Sequence, residues 1–313
     1  MGDLAGAGPT SILPELREND VLHATQARIS HGWPSRFRTR FRDRLLAHRK
    51  RAPRGPLAAY VSAFNAYEER GAPFRRRREL PDGFAVLIFN LGSELRVEQS
   101  ASARRSFGEG QGFFSGTSAT HVVTETDGGQ SGAQIKFSLL GARLFLGLPL
   151  GEFGDALIDA SEAFGQTATE LRDRLAEARS QDERLNLLVR AAEPRLSSED
   201  AIAPGLAFAF RRLSRADVRI ADVAREVGMS REGFSKAFRR EFGPSPKTFA
   251  RVRRFARTLR ARERQPSLNG AALAAQCGYV DQAHMVHEFQ EFAGGPPSAL
   301  WRRELPDAGG FID

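Results

Sequence analysis

Apolar positions between residues 220 and 300 repeat one helical pattern twice, about fifty residues apart. In the first copy Ile220, Val223, Ala224 and Val227 recur at the spacing of one helix face. Gly228 follows, where a chain turns left-handed without a Cβ clash. Ser230 is placed to cap a second helix, whose inward stripe is Phe234, Ala237, Phe238 and Phe242. After Gly243, Ser245-Pro246 opens a third helix, with Ser as cap and Pro in the first turn. Phe249, Val252, Ala256 and Leu259 form its apolar stripe. The second copy runs Leu273, Ala274, Cys277, Gly278, then Met285, Phe289, Gly294, Pro297, Leu300, with Asn269 as a cap. Its register slips by one residue in the turn after Gly278. Two helix pairs of one design, each too small for a core of its own, predict two modules packed side by side.

The polar faces suggest what the modules meet. The second helix of the first copy starts at Ser230 and shows Arg231, Glu232, Ser235, Lys236, Arg239 and Arg240 outward. A helix with this mostly cationic face fits the DNA major groove, where Arg, Lys and Ser reach base edges or phosphates. An amphipathic helical hairpin with a solvated face gives the same pattern; the repeat and the charge balance favour DNA. The third helix carries Arg251, Arg253, Arg254, Arg257 and Arg260 and predicts a rod that sets the distance between modules. Its arginines either hold phosphate, with Arg251 and Arg254 as candidates, or keep the surface soluble. The second candidate reading helix offers Asp281, Gln282, Ala283, His284, Val286 and His287. Gln282 suits an adenine and His284 a phosphate. Glu288, Gln290 and Glu291 weaken this face, so phosphate contact is expected there more than base readout.

These residues resemble a known family. The segments IADVAREVGMSREGFSKAFRREFGPSPKTF and LAAQCGYVDQAHMVHEFQEFAGGPPSAL are similar to the DNA-binding domain of AraC/XylS-type transcription regulators, including both Gly-x-x-Pro closures, Gly243 to Pro246 and Gly294 to Pro297. The resemblance covers about a third of the chain, from Leu206 to Trp301. It implies two helix-turn-helix units joined by a linker helix, each placing one helix in successive major grooves. Carried over by position, the contacts fall on Arg231, Glu232, Ser235, Lys236 and Arg239, then on Asp281, Gln282, Ala283, His284 and His287. The family has Arg or Lys where this chain has His287 and Gln290, which implies weaker binding by the second unit. The front half, in LPDGFAVLIFNLG, AQIKFSLLGARLFLGLPLGEF and DERLNLL, is similar to a subgroup with a poorly characterised cupin-like amino-terminal domain. That likeness implies a β-rich sensing or dimerising domain.

Charge agrees. The net charge of +8 favours a polyanionic partner. From Leu206 to Arg303, Lys and Arg exceed Asp and Glu by about ten, enough to account for the whole excess. The single cysteine, Cys277, sits on an apolar helix face and reads as core, in a chain with no disulfide framework. Without an apolar signal core or a run long enough to span a membrane, the chain is expected in the cytoplasm.

The front half reads as strands: Ala85 to Phe89, then Leu95, Val97 and Gln99, Gly112 to Phe114, His121 to Thr124, and Ala133 to Leu140. Such strands predict a small barrel or sandwich, which either holds a small molecule or is filled with side chains and serves dimer contact. His121 is the one histidine of this region, with His23, His31 and His48 in the basic extension and His284 and His287 in the second module. A metal site needs several converging ligands, so no metal, cofactor or catalytic constellation is expected. Leu157, Ile158 and Ala163, then Leu171, Leu175, Leu185, Leu187 and Leu188, read as helical. The Arg-rich run containing Arg36, Arg38, Arg40, Arg42 and Arg44 reads as a loosely packed basic extension or a further nucleic-acid contact.

The expected fold is therefore multidomain α+β: a basic, loosely ordered extension over 1–55, a β-rich cupin-like barrel over 56–150, a helical connector over 151–200 with a hinge at Ser197 to Asp200, an all-α tandem helix-turn-helix domain over 201–305, and a tail over 306–313. Two functions fit. One is a sequence-specific transcription regulator with double-stranded DNA, RNA polymerase and a small-molecule effector as partners, working as a homodimer. The other is a non-sequence-specific architectural protein whose front domain recruits a protein partner. The first favours its site over random DNA by ~10³ or more at physiological salt; the second does not.

Overall fold

A computed structural model of the chain describes residues 45–70, 76–100, 103–126, 129–154, 156–196, 202–215, 218–304 and 311–312. The arginine run from Arg36 to Arg44, His23, His31 and the expected hinge at Ser197 to Asp200 lie outside the described residues. The front half is built on two antiparallel sheets. One runs in the order β1 (Leu45–Arg51), β2 (Val61–Arg70), β9 (Gln130–Ser138), β4 (Phe84–Asn90), β7 (Gly112–Ser115), β10 (Leu157–Asp159). The other runs β11 (Phe311–Ile312), β3 (Arg77–Glu79), β8 (Val122–Thr126), β5 (Leu95–Ser100), β6 (Ala103–Phe107).

Strict alternation along the central strands sets three layers. On one face of the larger sheet Leu87, Phe89, Ile135 and Phe137 are fully buried. They pack under the helices α1 (Leu139–Leu146), α2 (Ala160–Phe164), α3 (Gln166–Glu177) and α4 (Gln181–Ala192). On the other face Ile88 and Phe113 meet Leu95, Val97 and Phe107 of the smaller sheet in a second apolar cluster. Toward the opposite end of this inter-sheet space the side chains are polar. Arg77 bonds Glu69 at 2.7 Å and Lys136 bonds Asp82. Burial pushes the Tyr67 hydroxyl and the Glu79 carboxyl above their ordinary pKa ranges.

Several sequence expectations are corrected here. Leu45–Arg51, inside the extension expected to be loose, pairs along its whole length with β2. The apolar run from Ala133 to Leu140 changes structure at Ser138, whose hydroxyl accepts from the Gly141 amide and caps α1. A continuous apolar run does not distinguish a buried strand from a buried helix. Leu157 and Ile158 form strand β10 against β7 rather than a helix. Residues 156–196 are thus part of the front domain, not a connector standing apart. The tail returns as well: Phe311 and Ile312 pair with Arg78 and Arg77 of β3.

The carboxy-terminal third is helical: α5 (Pro204–Arg215), α6 (Ile220–Glu226), α7 (Arg231–Phe242), α8 (Pro246–Arg264), α9 (Gly270–Gln276), α10 (Gln282–Ala293) and α11 (Pro297–Trp301). The two copies match in length, with 7 residues in α6 and in α9 and 12 in α7 and in α10. Ser230, Ser245, Asn269 and Asp281 each accept a bond from an orphan amide of the following helix. Gly228 and Gly278 turn between the paired helices at φ 69° and 81°.

The core is shared unequally. The cluster that begins in the larger sheet continues through α1 into α5, α6 and α7 and reaches Phe249 of α8. The second module has its own cluster of Phe255, Leu273, Met285, Phe289, Phe292 and Leu300. Phe238 sits inside the shared core between the rings of Phe210, Phe234, Phe242 and Phe249. Phe238→Ala is expected to cost about 3–5 kcal/mol through the cavity it leaves. Strand and helix signals should fall together as the variant melts, followed by infrared spectroscopy. Separate melting of the two would contradict a shared core.

Candidate nucleic-acid interface

α7 and α10 are the second helices of the two copies, and their starts are solvent-exposed. On α7 Arg231, Glu232, Lys236 and Arg239 are exposed, Ser230 is spent as the cap, and Ser235 is half-buried. Lys236 and Glu232 form an ion pair of 2.7 Å with both side chains 77% exposed. A pair so exposed contributes little and opens readily to a phosphate or base. The inward stripe of Phe234, Phe238 and Phe242 fixes this face outward.

On α10 Gln282, Ala283 and His287 are exposed. The Gln282 amide lies over the first residue of α9, where a Cβ on Gly270 would meet its Nε2 at 2.8 Å. Two expectations change. Asp281 is the cap, its carboxylate accepting from the His284 amide at 2.7 Å. His284 is half-buried, edge-on to Tyr279 with centroids 5.3 Å apart, and its Nε2 lies 3.6 Å from Glu288.

Arg251 and Arg254, candidates for phosphate contact, are instead committed within the protein. Glu288 is fully buried and accepts from Arg251 Nε at 2.9 Å and Arg254 Nη2 at 2.6 Å. Arg251 also pairs with Glu291, whose carboxyl it holds below the usual range. The acidic residues expected to weaken the second face therefore do not lie free on it; they fasten α10 to α8. The copies align Glu288 with Ala237, and Glu241 with Phe292. Both acids thus stand where the other copy turns a residue inward, and that was the signal for their burial.

Glu241 is the counterpart in the first module. Arg143, on α1, donates to it from Nε at 2.7 Å, with side chains 8% and 7% exposed. Beside this pair the backbone of Gly151 lies so close to α7 that a Cβ would meet the Arg239 carbonyl oxygen at 2.6 Å. The end of α10 is held likewise: Arg78 of β3 donates to the Ala293 carbonyl at 2.5 Å. Next to it, Gly294 turns at φ 70° against His121. Between them Arg253 of α8 donates to the Asp82 carbonyl at 3.1 Å and stacks on Phe84. Burial, then the charge of Arg260, lowers its pKa. Both candidate reading helices and the rod between them are thus anchored by arginine contacts to the front domain. Among the described residues no group of His, Cys, Asp or Glu is placed to hold a metal ion, and no helix is long and apolar enough to cross a membrane.

A helix-turn-helix domain family matches residues 209–303, and a domain of unknown function, DUF6597, matches residues 49–159. No curated protein matches the sequence. Among solved structures, ToxT from Vibrio cholerae is similar at 11% identity and a TM-score of 0.43, over 82% of this chain and 97% of that one. The AraC-like transcriptional activator CuxR is similar at 13% identity and a TM-score of 0.29, over 77% of this chain and 93% of that one. Likenesses this distant add nothing to what the residues establish. A β-rich front domain followed by a tandem helix-turn-helix domain defines a DNA-binding transcription regulator. The helix-turn-helix domain of this chain is of the AraC type.

Lys236→Ala and Arg239→Ala should each weaken DNA binding by about 1–3 kcal/mol and relax base preference at one position if they read a base. Equal loss on all sequences would assign them to phosphate. Glu288→Ala should destabilise the second module by about 3–5 kcal/mol in denaturant unfolding, because two arginines lose a buried partner. A change below about 0.5 kcal/mol would show that these arginines are satisfied without it.

Proposed function

We propose that the protein is a sequence-specific regulator that reads two successive major grooves with α7 and α10, and that the state of the front domain sets whether the two helices are held in register with DNA. The carrying observation is that both reading helices end on the front domain, through Arg143 to Glu241 and Arg78 to the Ala293 carbonyl. A ligand that favours one arrangement of the sheets then biases the DNA-bound state by its difference in affinity for the two arrangements.

The ligand site proposed lies between the two sheets, where a ligand would part the packed side chains. Val86, Ile88, Gln134 and Lys136 face it from central strands and remain half-buried rather than fully covered. One end is apolar around Val97, Phe107 and Phe113, and the other is polar around Tyr67, Arg77 and Glu79. A small molecule with an apolar body and a polar head suits this lining. A homodimer that doubles the DNA site, contact with RNA polymerase and a place in the cytoplasm complete the reading.

The test is selection of bound fragments from a genomic DNA library at physiological salt, followed by footprinting. The expected result is a shared sequence with two protected grooves one helical turn apart, about 34 Å, on one face of the duplex. Enrichment without shared sequence, lost smoothly as salt rises, would move the protein to the architectural class.

A further inference from the structure

The two turns between paired helices differ by one residue, and that residue is Val280. In the first copy the Met229 amide closes the turn on the Ala224 carbonyl at 2.9 Å. In the second, Tyr279 closes it on Ala274 at 3.0 Å. Ser230 and Asp281 are the matching caps, so Val280, between Tyr279 and Asp281, has no counterpart in the first copy. It is 88% exposed, far more than any other large hydrophobic side chain among the described residues.

Its setting points to a ligand that is itself apolar. Val280 immediately precedes the cap of α10, at the helix end from which bases are contacted. The first module opens with Arg231 and Glu232, whereas after its cap the second opens with Gln282 and Ala283, both uncharged and exposed. Gln282 rests against Gly270, which places its amide at the meeting point of the α9 and α10 starts. In the major groove the apolar group a base presents is the C5 methyl of thymine, and the partner of a glutamine amide is adenine.

We propose that Val280 is a specificity residue of the second module, packing its isopropyl group on a thymine methyl so that this module selects an A·T pair. The inference rests on α10 being a groove-reading helix. It shifts the weight of the second module from phosphate contact, expected there more than base readout, toward base readout.

The experiment uses the full chain and the DNA site recovered by selection. Each thymine in the second protected groove is replaced in turn by uracil, which lacks only the methyl group, and affinity is measured at fixed salt for the parent and for Val280→Ala. One lost methyl contact corresponds to about a fourfold loss. The expected result is that loss at one thymine in the parent and no loss at that position in Val280→Ala. The variant should melt with the parent, because Val280 supports no packing. A parent indifferent to uracil at every position, with the second groove still protected, overturns the role of Val280 and leaves the two-groove reading intact. A uracil effect that persists in Val280→Ala also overturns it. Absence of protection in the second groove removes the two-groove reading, and the proposal with it.

Discussion

The buried pair of Arg143 and Glu241 is the interaction on which the arrangement of this molecule depends. It joins a helix of the front domain to the last turn of the first candidate reading helix, where both side chains are almost fully buried and Glu241 also accepts from the exposed Arg240. Desolvating two charges is costly, and their attraction offsets that cost only when the geometry is held. The geometry is held here by a core that runs without a break from the larger sheet to Phe242 and Phe249, and by Gly151, where a side chain would push the turn Leu150–Glu152 away from α7. The first module is therefore an extension of the front domain's core more than a separate body.

The second module is fastened differently. It has its own apolar cluster, which takes in Val252 and Phe255 of the rod and packs against Leu80, and polar contacts add to that hold. Glu288 locks it to the rod through two arginines, and Arg78 closes the end of α10. The tail contributes Phe311, which packs near Trp301 and pairs with β3. Hydrogen bonds and short strand pairing open at lower cost than a shared core, so the second module is the one that parts from the front domain most easily. The chemistry of the two reading faces follows the same division: charged at the start of α7, uncharged and partly apolar at the start of α10.

The helix-turn-helix repeat was legible because its determinants are local. Apolar spacing, cap residues and turn glycines lie within a few positions of one another, and Ser230, Ser245 and Asn269 cap as their positions predict. The front domain was less legible. Lys50 and Arg51 belong to strand β1 because β2 pairs with them, which nothing in a basic run announces. Leu139 and Leu140 begin a helix because Ser138 caps it, although the apolar run continues unchanged. Arg251 and Arg254 look alike in sequence to arginines bound for phosphate. Their partner, Glu288, is distant in the chain, and only the comparison of the two copies hints that it points inward.

If the anchors act as proposed, the front domain holds α7 and α10 at one fixed separation before DNA is met. The most direct measurement is the distance between spin labels at positions 236 and 287, exposed sites on the two helices, by pulsed electron resonance on the free full-length protein. One narrow distance distribution is expected in the parent, broadened when Arg78→Met and Arg143→Met remove both anchors. A broad distribution in the parent, or one unchanged by loss of the anchors, would contradict it.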